Sequence, residues 1–164
     1  MAASRTKKPE DPEIDPTQLL AYRVLTLSQL LNRGIEVILE SDLGLSVRQW
    51  RVVLCIATRG PQSVQDIADF CRYDKSQVSR AVAELLEKKL VATGVSPTDG
   101  RRVLVRLTAA GREKFKRGMP LSLARQERLA SCLSRNQLQT FDKALQTLIQ
   151  QAEVMLQEAH DQRG

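Results

Sequence analysis

Within the six residues from Lys75 to Arg80 the chain sets two cations, two hydroxyls and a primary amide: Lys75, Ser76, Gln77, Ser79 and Arg80. Each type has a partner on nucleic acid. The amide of Gln77 offers the donor and acceptor that match an adenine edge, and the guanidinium of Arg80 can bond a guanine in bidentate fashion. Lys75, Ser76 and Ser79 suit phosphates or bases. Further on, Pro97-Thr98-Asp99-Gly100 has turn composition, and Arg101 and Arg102 follow it directly, with Arg106 beyond. Cations on so narrow a projection are drawn to the enhanced negative potential of a narrow, A·T-rich minor groove. Asp99 is an odd anion to send towards phosphates, and it makes sense as the partner that orients Arg101. Taken singly, the polar stretch fits the solvated face of any helix, and Asp99 with Arg101 fits a surface ion pair worth ~0–1 kcal/mol. Their succession is what points to DNA.

Chemistry that makes or breaks bonds finds no footing. The chain has no Gly-rich phosphate loop, nucleophile elbow or helical His-Glu-x-x-His, so no enzyme is expected. The single histidine, His160, lies in a polar tail and no Cys-x-x-Cys occurs, so neither a metal nor any other cofactor is expected. Cys55, Cys71 and Cys132 are odd in number, far apart and in apolar company, which fits buried thiols in a reducing compartment. No apolar run approaches the ~20 residues of a membrane span, and Met1 to Pro12 lack the apolar segment of a signal peptide. The expected setting is the cytoplasm, at the nucleoid.

These residues need a scaffold, and the helix starts are clearly marked. Asp15-Pro16-Thr17-Gln18 joins an N-cap, a proline at the first helical position and a capping-box glutamine. The helix it opens, to about Ser41, is apolar on more than one side through Leu19, Leu20, Leu27, Leu30, Leu31, Val37 and Ile38, as if it touched two bodies. Ser46-Val47-Arg48-Gln49 opens a second helix with Trp50, Val53 and Leu54, which Gly60-Pro61 ends. Ser63-Val64-Gln65-Asp66 opens a short third helix. After Cys71-Arg72-Tyr73, Asp74-Lys75-Ser76-Gln77 is a fourth capped start, with Val78, Val82, Leu85 and Leu86 at inward spacing.

Helical periodicity then stops. Val91 to Ser96 and Arg101 to Leu107 are β-prone, with Val103, Val105 and Leu107 alternating against Arg102, Leu104 and Arg106. Thr108 caps a long helix that Pro120 is expected to kink or split near Met119. Ser134-Arg135-Asn136-Gln137 opens the last helix. Its Leu138, Phe141, Leu145, Leu148, Ala152 and Met155 recur every three or four residues, a seam that a chain of 164 residues would struggle to cover alone.

This order predicts a mainly α fold with a small β-hairpin wing: a winged helix-turn-helix with N- and C-terminal dimerisation helices. The expected organisation is a flexible leader over 1–14, a first dimerisation or linker helix over 15–42, a DNA-binding lobe over 43–107 and C-terminal dimerisation helices over 108–160. Charge follows the same plan. The whole chain carries +6, yet Arg72 to Arg117 holds twelve Lys/Arg against five Asp/Glu, a net of +7, so the remainder sums to −1. A basic segment of that kind is the electrostatic footprint of a DNA-binding face.

The run Leu85-Leu86-Glu87-Lys88-Lys89-Leu90-Val91, then Ser96-Pro97-Thr98-Asp99-Gly100-Arg101-Arg102, then Val105-Arg106-Leu107-Thr108-Ala109-Ala110-Gly111 resembles the signature of MarR-type regulators. The Asp-x-Arg followed by Leu-Thr-x-x-Gly is its specific part. The likeness covers roughly residues 17 to 157, including Leu45 to Trp50. It implies a homodimer on a palindromic operator of double-stranded DNA, the terminal helices of the two subunits intertwined and Arg101 in the minor groove. It also implies repression of nearby genes, relieved by a small effector that is often an aromatic carboxylate. In this family the effector cavity lies between the first two helices, the fifth helix and the DNA-binding lobe. Here Tyr22, Arg23, Arg48 and Trp50 would line it, with Leu19 and Val53 as walls. Two departures matter. Lys89 stands where the family often has glycine, and must turn left-handed or end its helix differently. The arginine frequent after Leu-Val is replaced near Ala92-Thr93. Two other readings stay open: a thiol-based redox-responsive regulator, with Cys71 the best-placed thiol, and a winged-helix module that binds protein in place of DNA.

Overall fold

The computed structural model describes residues 15–162, and the leader expected over 1–14 lies outside them. Asp15 does cap a turn, but not the long helix. Its carboxylate accepts from the Thr17 amide at 2.9 Å, a 3-10 turn follows over Pro16–Gln18, and Leu19 is extended before α1 begins. α1 (Leu20–Leu43) closes on Gly44, left-handed at φ 64°. The amides of Gly44 and Leu45 return to the carbonyls of Glu40 and Leu39, a glycine stop of the usual kind.

α2 (Val47–Arg59) and α3 (Val64–Cys71) each start with a complete capping box, Ser46 with Gln49 and Ser63 with Asp66. α4 (Lys75–Glu87) differs from expectation, because Asp74 is extended but makes no side-chain capping bond. β1 (Val91–Val95) and β2 (Val103–Leu107) pair antiparallel, with Val91 opposite Leu107 and Val95 opposite Val103. α5 (Ala109–Ala130) runs on through Pro120, so the proline does not split it. The ring removes one hydrogen bond, at ~3 kcal/mol, and the helix tolerates the loss. α6 (Arg135–Asp161) opens on the Ser134–Gln137 capping box. The architecture is a winged helix-turn-helix, mainly helical.

The chain divides into two compact units between Lys116 and Arg117. The first holds the core: Leu39 and Leu43 from α1, Trp50, Val52, Val53 and Ile56 from α2, Ile67 from α3, Val78, Val82 and Leu85 from α4, and Val105 and Leu107 from β2. This core reaches past both ends of 43–107, since Phe115 also packs against it. Burial along β2 alternates only in part. Val105 and Leu107 are inside, but Val103 is 57% exposed because it stands at the turn end of the hairpin, beyond the core. Gln62 adds a short bridge to the other edge of β2, its amide donating to the Val105 carbonyl at 3.1 Å and its carbonyl accepting from the Val105 amide at 2.7 Å.

The junction after the hairpin explains the Leu-Thr-x-x-Gly pattern. Thr108 Oγ1 donates to the Lys89 carbonyl at 2.8 Å and accepts from the Gly111 amide at 3.1 Å, which caps α5 and pins it to the end of α4. A Cβ at Gly111 would overlap the Leu90 carbonyl oxygen, so only glycine fits. Lys89 takes the left-handed conformation, φ 57°. In the second unit no residue of α6 is buried.

Candidate nucleic-acid interface

α3 and α4 meet through Arg72, left-handed at φ 55°, and Tyr73, whose amide returns to the Ala68 carbonyl at 3.1 Å. This tight turn lets α4 lay Val78, Ala81, Val82 and Leu85 into the core, so Lys75, Ser76, Ser79 and Arg80 face outward, exposed. Arg80 spends only its Nε locally, on the Ser76 carbonyl at 3.4 Å. Gln77 sits differently. It is half-buried on the flank of α4, where it lines a hollow of about 400 Å³ with Arg48, Tyr73, Arg80 and Glu84.

The wing is built from its own polar side chains. Ser96, buried at the end of β1, accepts through Oγ from the amides of Thr98 and Asp99, both at 3.3 Å. Asp99 Oδ1 accepts from the Arg101 amide at 3.0 Å, and the Arg102 amide closes a turn onto the Asp99 carbonyl at 3.0 Å. Asp99 therefore orients the backbone beneath Arg101, where its carboxylate was expected to hold the guanidinium. Arg101 is exposed at the tip.

Arg102 turns the other way. Its Nη2 donates to Asp66 Oδ2 at 2.8 Å and to Ser63 Oγ at 3.4 Å. The same Asp66 oxygen accepts the Ser63 amide at 3.1 Å and hydroxyl at 2.7 Å. The Ser63 bonds first, and then the Arg102 charge, hold the Asp66 carboxyl below the ordinary carboxylate range. Of the two adjacent arginines, one is offered outward and the other moors the wing to the start of α3. The second role of Asp66 had a signal in the sequence: an acid at the third position of a cap, with an arginine pair in a later turn.

The four residues expected around an effector are not gathered within one chain. Trp50 is core, 3% exposed, its ring stacked on Phe115 at 6.2 Å between centroids and 25° between planes. Arg48 is exposed on the rim of the hollow, whose α1 wall is Asn32 and Glu36. Tyr22 and Arg23 are exposed on the first turns of α1, and Arg23 lies about 14 Å along the helix from Asn32 at 1.5 Å per residue.

Cys55 and Cys71 are buried as expected, whereas Cys132, also expected to be buried, is exposed. Burial, and then the neighbouring Cys55, push the Cys71 thiol up to about 11. A sensor thiol needs access and a lowered pKa, so the redox reading loses its best candidate. Among the described residues no helix is long and apolar enough to cross a membrane.

A short capped helix, a tight turn, an outward basic helix and an arginine-tipped hairpin define a winged helix-turn-helix protein. Residues 43–102 match the MarR family model, and over that segment the chain is similar to this family. It is 26% identical over 117 residues to the HTH-type transcriptional repressor IacR of Pseudomonas putida, spanning 71% of this chain and 70% of that protein. Its fold matches a MarR/EmrR family regulator from Acinetobacter sp. ADP1 with a TM-score of 0.80 and 22% identity, over 85% of this chain and 99% of the other. It also matches MepR of S. aureus, solved as a DNA complex, with a TM-score of 0.76 and 18% identity, over 84% and 99% of the two chains.

Proposed function

We propose that the protein is a homodimeric repressor that binds a palindromic operator through α4 and the wing, at the nucleoid in the cytoplasm. One observation carries the dimer: apolar side chains left in water at regular spacing. α6 exposes Leu138, Phe141, Leu148 and Met155, and α1 exposes Leu20, Leu25, Leu27 and Leu30. Covering such surface is worth roughly 25 cal/mol per Å², and a second copy offers the matching stripe. Two-fold symmetry then sets two copies of α4 in major grooves one helical turn, or a multiple of it, apart. Lys75, Ser76, Ser79 and Arg80 face the bases and phosphates, Gln77 reaches in from the flank, and Arg101 enters the minor groove. Light scattering at micromolar concentration should give twice the chain mass, and footprinting should give two symmetric half-sites. A monomer, or a single unpaired half-site, overturns the proposal.

The effector is proposed as a small aromatic carboxylate. Arg48 supports this, since it is an exposed cation on the hollow that also holds Gln77 and Arg80. An acid held there would sit beside the side chains that read DNA. Arg23 and Tyr22, remote within one chain, would reach it from the first helix of a second subunit. Trp50 would serve as the floor behind them, packed on Phe115. Release requires that the ligand bind the DNA-free form more tightly. Fluorescence anisotropy over benzoate-, cinnamate- and pyridine-type acids tests it. Arg48→Ala and Arg23→Ala should bind operator normally yet resist release; undiminished release in both variants overturns the anionic site.

A further inference from the structure

Gln49 is one of only two buried polar side chains among the described residues, and every polar atom it has is used. Its Oε1 accepts the Ser46 amide at 3.2 Å and Lys88 Nζ at 3.1 Å, and its Nε2 donates to Glu84 Oε2 at 2.5 Å. Lys88 Nζ also reaches the Gly44 carbonyl at 2.7 Å. The end of α1, the cap of α2 and the back of α4 are joined at this one amide.

The consequence lies in what Glu84 would do without it. Glu84 is exposed, one turn beyond Arg80 on α4, and both line the same hollow. Residues four apart on a helix face each other, so a free carboxylate at 84 attracts the guanidinium at 80. In the observed arrangement Glu84 is instead turned to Gln49, and the Arg80 fork is left for another acceptor. Apolar packing of Val78, Val82 and Leu85 cannot make that choice, because it has no direction.

We infer that Gln49 is a specificity-determining positioning residue: by holding the Glu84 carboxylate it keeps Arg80 free to read its base pair. This rests on the reading that Arg80 touches DNA. The same amide ties the reading helix to the α1–α2 elbow through Lys88 and Gly44, so movement of α1 is felt at Glu84 before it is felt at the bases.

The decisive variant is Gln49→Glu. Glutamate preserves the capping box and the Lys88 contact, but replaces the donor that faces Glu84 by a repelling oxygen. Operator affinity in gel shifts should fall about tenfold, the range of one bidentate base contact, while non-specific binding and thermal midpoint change little. Gln49→Glu with Glu84→Gln restores the bond with its donor on the other side, and should restore affinity. In an Arg80→Ala background Gln49→Glu should have no further effect. Additive losses in that background, or no recovery in the swapped pair, overturn the inference while leaving Arg80 as a contact. An Arg80→Ala variant that binds operator like the parent overturns both. Should Gln49→Glu not fold, Gln49→Met with and without Glu84→Gln gives the same comparison.

Discussion

α2 and α6 are both amphipathic helices opened by the same Ser-x-x-Gln capping box, yet their apolar faces meet different fates. α2 buries Trp50, Val52, Val53, Cys55 and Ile56 within its own chain. α6 is twice as long and buries nothing. Local signals are equally strong in both, so what separates them is whether the chain supplies the other half of the contact. The first unit has a finished core; the α6 arm leaves an apolar stripe exposed, which the proposed dimer would cover. In the function proposed above the covering partner is a second copy, which would set two reading helices on one operator.

The largest effect is expected at the arm. Leu148→Glu puts a charge into the α6 stripe without touching any buried residue. The single chain should keep its helical content, since the position is already exposed. Losing the dimer loses the second half-site, and linked sites gain about 10²–10⁴ in avidity over one alone. Sedimentation should show a monomer, and operator affinity should drop at least a hundredfold. If the dimer survives, the stripe is not its interface and the contrast with α2 fails.

In the finished lobe the matching experiment is Gly111→Ala. The added methyl meets the Leu90 backbone, which cannot give way as a side-chain tip would. The expected destabilisation is about 3 kcal/mol, the upper end for an overpacked site. It should appear in the denaturation midpoint and leave the dimer mass unchanged while the protein is folded.

Much of this lobe was legible because its signals are local. The helix starts at Ser46, Ser63 and Ser134 formed where they were read, each with a complete capping box, and Val78, Val82 and Leu85 went inward as their spacing required. The misreadings share another origin. Asp15 caps a separate turn, Asp74 caps nothing with its side chain, and Val103 lies outside a pattern that held for its neighbours. At the candidate site, residue types were readable but directions were not. Arg101 and Arg102 are identical in sequence terms; which of them faces outward depends on Asp66, thirty-six positions away from Arg102. Gln49 was legible as a cap but not as a partner of Glu84, for the same reason.

Arg101→Ala should sharpen that difference on the DNA side. Operator binding should weaken by about 1–3 kcal/mol, most strongly where the flanking sequence is A·T-rich and the groove narrow. Folding should be untouched, because the side chain is exposed at the tip. Titration by anisotropy against A·T-rich and G·C-rich flanks measures both. Equal loss on both flanks would remove the minor-groove placement.

Arg102→Ala is the smallest of the expected effects and the most discriminating. The ion pair with Asp66 is open to water, its side chains 51% and 37% exposed, so screening limits its contribution to stability to about 1 kcal/mol or less. Operator affinity should fall less than in Arg101→Ala, through a looser wing. The salt dependence tells the two arginines apart. A side chain that neutralises a phosphate lowers the slope of log affinity against log salt by about one when removed. Arg102→Ala should leave that slope at the parent's value. The mooring should also answer to acid. Because the folded Asp66 carboxyl titrates below its ordinary value of 3.8, its contribution is complete above that value and is lost as pH falls through the lower, folded one. Neutral and alkaline pH should therefore leave the wing anchored. Parent and Arg102→Ala should differ by a small, constant amount at neutral and alkaline pH, and that difference should vanish on the acid limb as Asp66 is protonated. A reduced salt slope in Arg102→Ala would mean that this arginine leaves Asp66 to bind DNA, and the two neighbours would then share one role.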